Sequence, residues 1–292
     1  MQILTDRGSD FCAEQLSGLK INFVPMKLVL DGKTYSSGVD ISSAEFYDLL
    51  STTDGFPTTS QATVGDFVEL YKKLAKDDPE IFFVHISSGL SGTYNSARTA
   101  ADMVPEVKVT FWDTKTLSCP EAWQVEAAAR ALQAGWPMER IFKMLEKIRQ
   151  GSEGVYTLDT LKYLIHGGRI SHMKGLLASV LQIRPVIGVD KENGKYYTLG
   201  QERTSRRALS KLVNLLTRFY PEGSAVRVQL LHGKNPDAVE ILREEMLKCY
   251  QCHWTPTVTV APILGAHTGG SLVGLSIGAA DHFKDVPGIV MD

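Results

Sequence analysis

The sequence predicts an α/β protein in two parts: an N-terminal parallel sheet flanked by helices, then a second α/β part whose sheet is mixed or antiparallel. Three observations lead there. Through the first 150 residues, strand-like runs such as IFFVHI (81–86) and VKVTFWDT (107–114) alternate with amphipathic helical stretches. That alternation is the pattern of parallel strands joined by crossover helices. After Gly151 the pattern changes, and RPVIGVDKENGKYYTL (184–199) carries a hairpin signal at Asn193-Gly194. Finally, 292 residues with 43% hydrophobic and 22% charged side chains are ordinary globular composition. A chain of this length buries roughly 75% of its unfolded surface, so it needs no staples.

The elements follow in order. MQILTD (1–6) reads as a buried first strand, and NFVPMKLVLDGKTY (22–35) as extended chain turning at Asp31-Gly32. Ser42 and Glu45 have capping-box spacing ahead of FYDLL. TVGDFVELYKKLAKD (63–77) is an amphipathic helix, apolar at Val64, Phe67, Val68, Leu70 and Tyr71, with Thr63 placed to cap it. Pro120 suits the first turn of EAWQVEAAARALQAG, and ERIFKMLEKIRQG (139–151) is another helix. A boundary near residue 150 divides the chain into 1–150 and 151–292. Beyond it, GVYTLDTL reads as strand and KYLIHGGRISHMKGLLASVLQI as helix-rich with a Gly167-Gly168 break. RRALSKLVNLLTRFY and DAVEILREEMLKCY read as helices, AVRVQLLHG and VTVAPIL as strands.

Composition excludes several function classes. A net charge of −2 asks for neither nucleic acid nor an anionic membrane. Four cysteines are too few for a disulfide scaffold. The N-terminus reaches a charge at Asp6 without an apolar core region, unlike a signal peptide. The longest apolar stretches, such as LLASVLQI (176–183), fall short of the ~20 residues of a membrane span. The expectation is a soluble, cytoplasmic protein.

The chemistry concentrates in four loops. In IFFVHISSGLSGTYNSARTA (81–100) a strand feeds a loop bearing Ser87, Ser88, Ser91 and Thr93, and then a helix. Free N–H groups and the helix dipole suit an anion there, although the same residues serve as ordinary N-caps. The stretch lacks the spacing of a G-x-S-x-G nucleophile elbow and the lysine of a P-loop. PTTSQAT (57–63), GGRIS (167–171) and GAHTGG (265–270) add hydroxyls, an arginine and a histidine in a glycine-rich loop. Four such loops beside strand or helix ends fit one shared ligand cleft.

These motifs, together with TDRGSD (5–10), WDTKTLS (112–118), IRPVIGV (183–189) and ERTSRRAL (202–209), resemble the bacterial DegV family of fatty-acid-binding proteins in order and spacing. The departures are Arg7-Gly8 within T-D-S-T-S-D, Ala62 where proline is usual, and Gly270-Ser271 after Gly269. The resemblance implies a two-domain DegV-like fold with one long-chain fatty acid in a cleft between the domains. It implies no cofactor, no metal and no catalytic residue of its own. It also implies a partner, an ATP-dependent fatty acid kinase that phosphorylates the presented carboxylate to acyl phosphate for phospholipid synthesis. Carried over by motif, Thr59 and Ser91 hydrogen-bond the carboxylate, with Arg169 and His267 near it. Gly92 and Thr268 complete the ligand-binding set, Ser60 and Ser88 are alternative hydroxyls, and Arg203 meets the kinase.

Two competing readings remain open on the residues. One is a serine-type acyl hydrolase using Ser91 and His267, which requires a hydrogen-bonded Ser–His pair and an orienting third group. The other is a small-anion or phosphate sensor without a tail pocket. The apolar run 172–189 is a candidate tail lining, or plain core. Cys249 and Cys252 form a C-x-x-C, but at a helix C-terminus, where the dipole disfavours a thiolate. Arg203, Arg206, Arg207, Lys211 and Arg218 form a basic stretch: a solvated face or a docking surface.

Overall fold

The computed structural model describes residues 1–173 and 183–291. The first half runs β1 (Gln2–Asp6), α1 (Ala13–Leu16), β2 (Ile21–Val24), β3 (Lys27–Leu30), β4 (Lys33–Ser36), α2 (Ser43–Thr52), β5 (Thr58–Ser60), α3 (Val64–Leu74), β6 (Glu80–His85), α4 (Thr93–Met103), β7 (Lys108–Asp113), α5 (Ser118–Gln133) and α6 (Met138–Gln150). The second runs β8 (Ser152–Thr157), α7 (Lys162–His166), a 3-10 turn at Arg169–His172, β9 (Arg184–Val189), β10 (Tyr196–Glu202), α8 (Ser205–Leu216), β11 (Ala225–His232), α9 (Pro236–Cys249), β12 (Gln251–Thr259), α10 (Pro262–Thr268) and β13 (Val273–Ala279).

Strands β2-β1-β6-β7 form a wholly parallel sheet. Its pleat sorts side chains to two faces. Leu4, Ile81 and Phe83 pack with Phe67, Tyr71, Ala97 and Ala100 from α3 and α4. Ile3, Phe82 and Val84 pack with Trp123, Ile141 and Leu145 from α5 and α6. The near-continuous apolar run of β6 is therefore what burial on both faces requires. In the second half β10-β9-β8-β13-β11-β12 form a mixed sheet, antiparallel except at β11–β12. One face packs on α8 and α9 through Leu209, Leu212, Val239 and Leu242. The other carries Tyr156, Ile187 and Leu231 toward Ile86, Leu90 and Leu117 of the first half. Among the described residues, no sheet mixes strands from the two sides of Gly151.

The local signals act as read. Ser42 and Glu45 cap α2 reciprocally, and Thr63 and Asp66 do the same for α3. Asp31 and Gly32 turn the β3–β4 hairpin, both at positive φ. The β9–β10 hairpin closes through Asp190–Lys195, with Gly194 at φ 67.

Three readings change. The extended chain 22–35 breaks at Pro25, and its second part joins a separate antiparallel sheet, β4-β3-β5. The polar cluster 57–63 supplies a strand, β5, rather than only a loop and cap. The run VTVAPIL is strand only to Thr259, because Pro262 cannot donate to a ladder and instead opens α10. His267 thus sits on a helix, not in a glycine-rich loop. The helix-rich reading of 174–182 lies outside the described residues.

Candidate functional site

The four hydroxyls of the β6–α4 loop have four different neighbours. Ser87 Oγ, fully buried, donates to the Gly194 carbonyl at 2.7 Å and so joins the first half to the β9–β10 hairpin. Ser88 is exposed and donates to Asp113 Oδ2 at 2.5 Å. Ser91 is half-buried, and its Oγ lies 2.8 Å from Oγ1 of the buried Thr93. Of the four, Ser91 lines a cavity.

That cavity, about 50 Å³, is lined by Thr59, Gln61, Ser91, Arg169 and His267 on its polar side and by Met26, Ile86, Leu90 and Ile263 on its apolar side. It meets a second chamber of about 20 Å³ at the shared residues Leu117, Tyr196 and Leu264. The second chamber is lined by Tyr156, Ile187, Leu231, Val260 and Leu272. Its serine and threonine hydroxyls are engaged: Ser118 donates to Asp10 at 2.5 Å and Thr268 to the Leu264 carbonyl at 3.2 Å. The arrangement places a polar chamber beside an apolar one across a shared wall.

Local structure explains the placement. Thr59 is the middle residue of β5, so its side chain points oppositely to Ser60, which is exposed and away from the chamber. Gln61 continues the alternation onto the Thr59 side, and its Nε2 donates to Ser96 Oγ at 2.9 Å. Gln61 lies flat on Gly92, the N-cap of α4, where a Cβ would meet its Oε1 at 2.3 Å. Across the cleft, α10 brings His267 to Thr59, with Nε2 and Oγ1 2.7 Å apart. A Cβ on Gly167 would stand 2.0 Å from His267 Nδ1, so only glycine permits this approach. Arg169 reaches the chamber from the 3-10 turn, held by an Nη1 bond to the Gly167 carbonyl at 2.7 Å.

Burial, with the nearby charges of Arg169 and His166, pushes His267 down to about 4. The imidazole is therefore neutral at physiological pH. Its Nδ1 is buried and has no partner among the described residues. A buried N–H without an acceptor is worse than an unfilled lone pair. The proton accordingly belongs on Nε2, donated to Thr59 Oγ1, which leaves the Thr59 hydroxyl proton free for the chamber. Among the described residues, Arg169 is the cation lining the chamber. Hydroxyl donors beside one cation suit a monoanionic head group.

Of the residues expected at a ligand, the structure brings together Thr59, Ser91, Arg169 and His267, with Gly92 behind them. Thr268 faces the apolar chamber, while Ser60 and Ser88 point away. Arg203 is exposed directly after β10, at the start of the β10–α8 link, outside both chambers. Arg7 stacks on Phe23 with its guanidinium carbon 4.2 Å from the ring centroid, and takes no part in the lining. Sequence reasoning passed over Gln61 and Tyr196. Reading 57–61 as a strand would have put Gln61 on the face of Thr59. Cys249 ends α9, and burial lifts Cys252 to about 11, which disfavours redox use of the pair. Among the described residues no cluster of three or more His, Cys, Asp or Glu could hold a metal, and no helix is long and apolar enough to cross a membrane.

Residues 1–279 match the model of a family described as uncharacterised protein, DegV family. A DegV domain-containing protein of Listeria innocua is 31% identical over 278 residues, covering 94% of this chain and 96% of that one. A fatty-acid-binding DegV family protein from Thermus thermophilus superimposes with a TM-score of 0.85 at 26% identity, over 95% of this chain and 99% of that one. DegV of Bacillus subtilis, a fatty-acid-binding protein, does so with 0.84 at 26% identity, over 95% and 98%. The chain is a member of the DegV family.

Proposed function

We propose that this protein binds one long-chain fatty acid between its two halves and presents the carboxylate to an ATP-dependent fatty acid kinase. The observation that carries the reading is the shared wall of Leu117, Tyr196 and Leu264, on which a chamber with hydroxyls, a neutral imidazole and an arginine adjoins an apolar one. The fatty-acid-binding relatives from Thermus thermophilus and Bacillus subtilis support it. A tail of ~14 methylenes contributes roughly 11 kcal/mol gross, at about 0.8 kcal/mol each. A charge-assisted bond to the head adds only ~1.5–3 kcal/mol. The tail therefore sets affinity, and Thr59 and Ser91 set depth and direction. Chambers of about 50 and 20 Å³ are smaller than such a tail, so the walls part as it enters.

Hydroxyl donors suit a substrate that must still react. A bidentate arginine would cover both carboxylate oxygens. Thr59 and Ser91 hold the head while leaving an oxygen for a γ-phosphate brought by the partner, with Arg203 on the docking surface. Transfer of this kind depends on positioning and charge neutralisation.

The hydrolase reading is disfavoured by specific contacts. Ser91 Oγ bonds Thr93, His267 Nε2 bonds Thr59, and Nδ1 lacks an orienting partner among the described residues. The test is to denature the purified protein, extract it with organic solvent and weigh the extract by mass spectrometry. A near-stoichiometric fatty acid is expected. Loaded protein mixed with the kinase and ATP should then yield acyl phosphate. An empty extract, together with failure to take up added palmitate or oleate, would overturn the reading.

A further inference from the structure

We propose that Thr93 is a positioning residue: its buried hydroxyl donates to Ser91 Oγ and so turns the Ser91 proton into the polar chamber. This deepens, and rests on, the fatty-acid reading above.

The two oxygens are 2.8 Å apart, and geometry alone allows either to donate. Burial decides between them. Thr93 is fully buried at the first position of α4. No carbonyl one turn earlier in the helix exists to receive its proton, and Ser91 Oγ is the acceptor the structure places beside it. If Ser91 were the donor, the Thr93 proton would be buried without an acceptor, the more costly arrangement. Ser91, by contrast, is half-buried and lines the chamber, where a bound oxygen can take its proton. The Thr93 backbone N–H also points at Ser91 Oγ, at 3.3 Å. With both donors from Thr93 directed at it, Ser91 Oγ presents its own proton outward.

The consequence concerns charge selectivity. A Ser91 that donated to Thr93 would show the chamber a lone pair, which repels a carboxylate. A Ser91 that accepts from Thr93 shows it a proton. Thr59 shows the same polarity by a different route, since His267 Nε2 donates to it. The head-group site is thus polarised from behind at both hydroxyls, by residues that need not touch the ligand themselves.

The test compares ligands that share a tail. Oleate and oleyl alcohol bind the same apolar path, but only oleate carries the negative head. Wild type, Thr93→Val and Thr93→Ser are delipidated and titrated with both. Thr93→Val keeps the branched shape and removes the hydroxyl donor. It should weaken oleate binding by about five- to tenfold, the effect of one impaired charge-assisted hydrogen bond, and change oleyl alcohol binding less than about twofold. Thr93→Ser should restore the preference for oleate. Equal losses for both ligands in Thr93→Val would mean a packing role and overturn the assignment. Undiminished preference for oleate would also overturn it. Wild type that binds neither ligand would instead overturn the fatty-acid reading, and this inference with it.

Discussion

Gly167 shows how far one missing side chain shapes the site. Its φ is −72°, so alanine meets no backbone strain there. A Cβ would nevertheless stand 2.0 Å from His267 Nδ1 and 3.1 Å from the Tyr163 carbonyl. Gly167→Ala should therefore leave the fold intact and displace the imidazole from Thr59. Loss of that one bond should weaken oleate binding by about fivefold. Imidazole ¹⁵N shifts provide the check: wild type should show the Nε2–H tautomer, and the variant should lose it. Unchanged shifts in the variant would mean that the ring does not depend on the glycine.

The β9–β10 hairpin is one of the elements that reach from the second half into the first. Its turn receives the Ser87 hydroxyl, and a Cβ on Gly194 would stand 1.9 Å from Ser87 Oγ. Gly194 also sits at φ 67, a left-handed conformation. Gly135 provides a control, since its φ is 74 and nothing lies within 4 Å of an added Cβ. Gly135→Ala should cost about 1–2 kcal/mol of stability from the backbone alone. Gly194→Ala should cost that plus the lost docking contact, about 1–3 kcal/mol more. Urea denaturation of both variants measures the difference. Equal losses would show that the Ser87 contact contributes nothing to holding the halves together.

At the scale of the molecule, buried carboxylates tie the pieces together. Asp10 follows β1, accepts from Ser118 at the start of α5 and from the Ala261 N–H at the start of α10, and so links both halves. Asp6 accepts from the backbone N–H groups of Gly8 and Ile86. Burial raises both carboxyls to about 6, against the opposing effect of these hydrogen bonds. Burial, together with the nearby Asp6 and Asp10 carboxylates, also lifts Glu121 well above its ordinary value. The folded state thus keeps protons that the unfolded chain releases between about 4 and 6. Each raised carboxyl favours folding at pH below its ordinary value, and that contribution is lost as pH rises through about 6. Asp10→Asn should flatten the dependence of stability on pH across this window by up to about 1.4 kcal/mol per pH unit. Denaturation at several pH values for both proteins is the check. Parallel profiles would place the Asp10 carboxyl at its ordinary value.

The sequence by itself determined what depends on neighbours along the chain. The capping box at Ser42, the cap at Thr63, the Asp31-Gly32 turn and the apolar run of β6 act over a few residues, so they were legible in the sequence. The parallel sheet followed from the alternation of such segments. The hydroxyl-rich and glycine-rich loops marked themselves as a candidate site by residue type. Tertiary structure decided which of those groups meet. Thr59 and His267 are 208 residues apart and share a hydrogen bond only because α10 crosses the cleft to β5. Three adjacent hydroxyl-bearing residues, Thr58, Thr59 and Ser60, differed in sequence only by the resemblance of their motif, until β5 gave neighbours opposite faces. In the β6–α4 loop, burial and long-range acceptors sent Ser87 to Gly194 and Ser88 to Asp113, leaving Ser91 for the chamber. Polarity and pKa followed the same rule. They depend on desolvation and on charges brought close by folding, and a one-dimensional pattern carries neither.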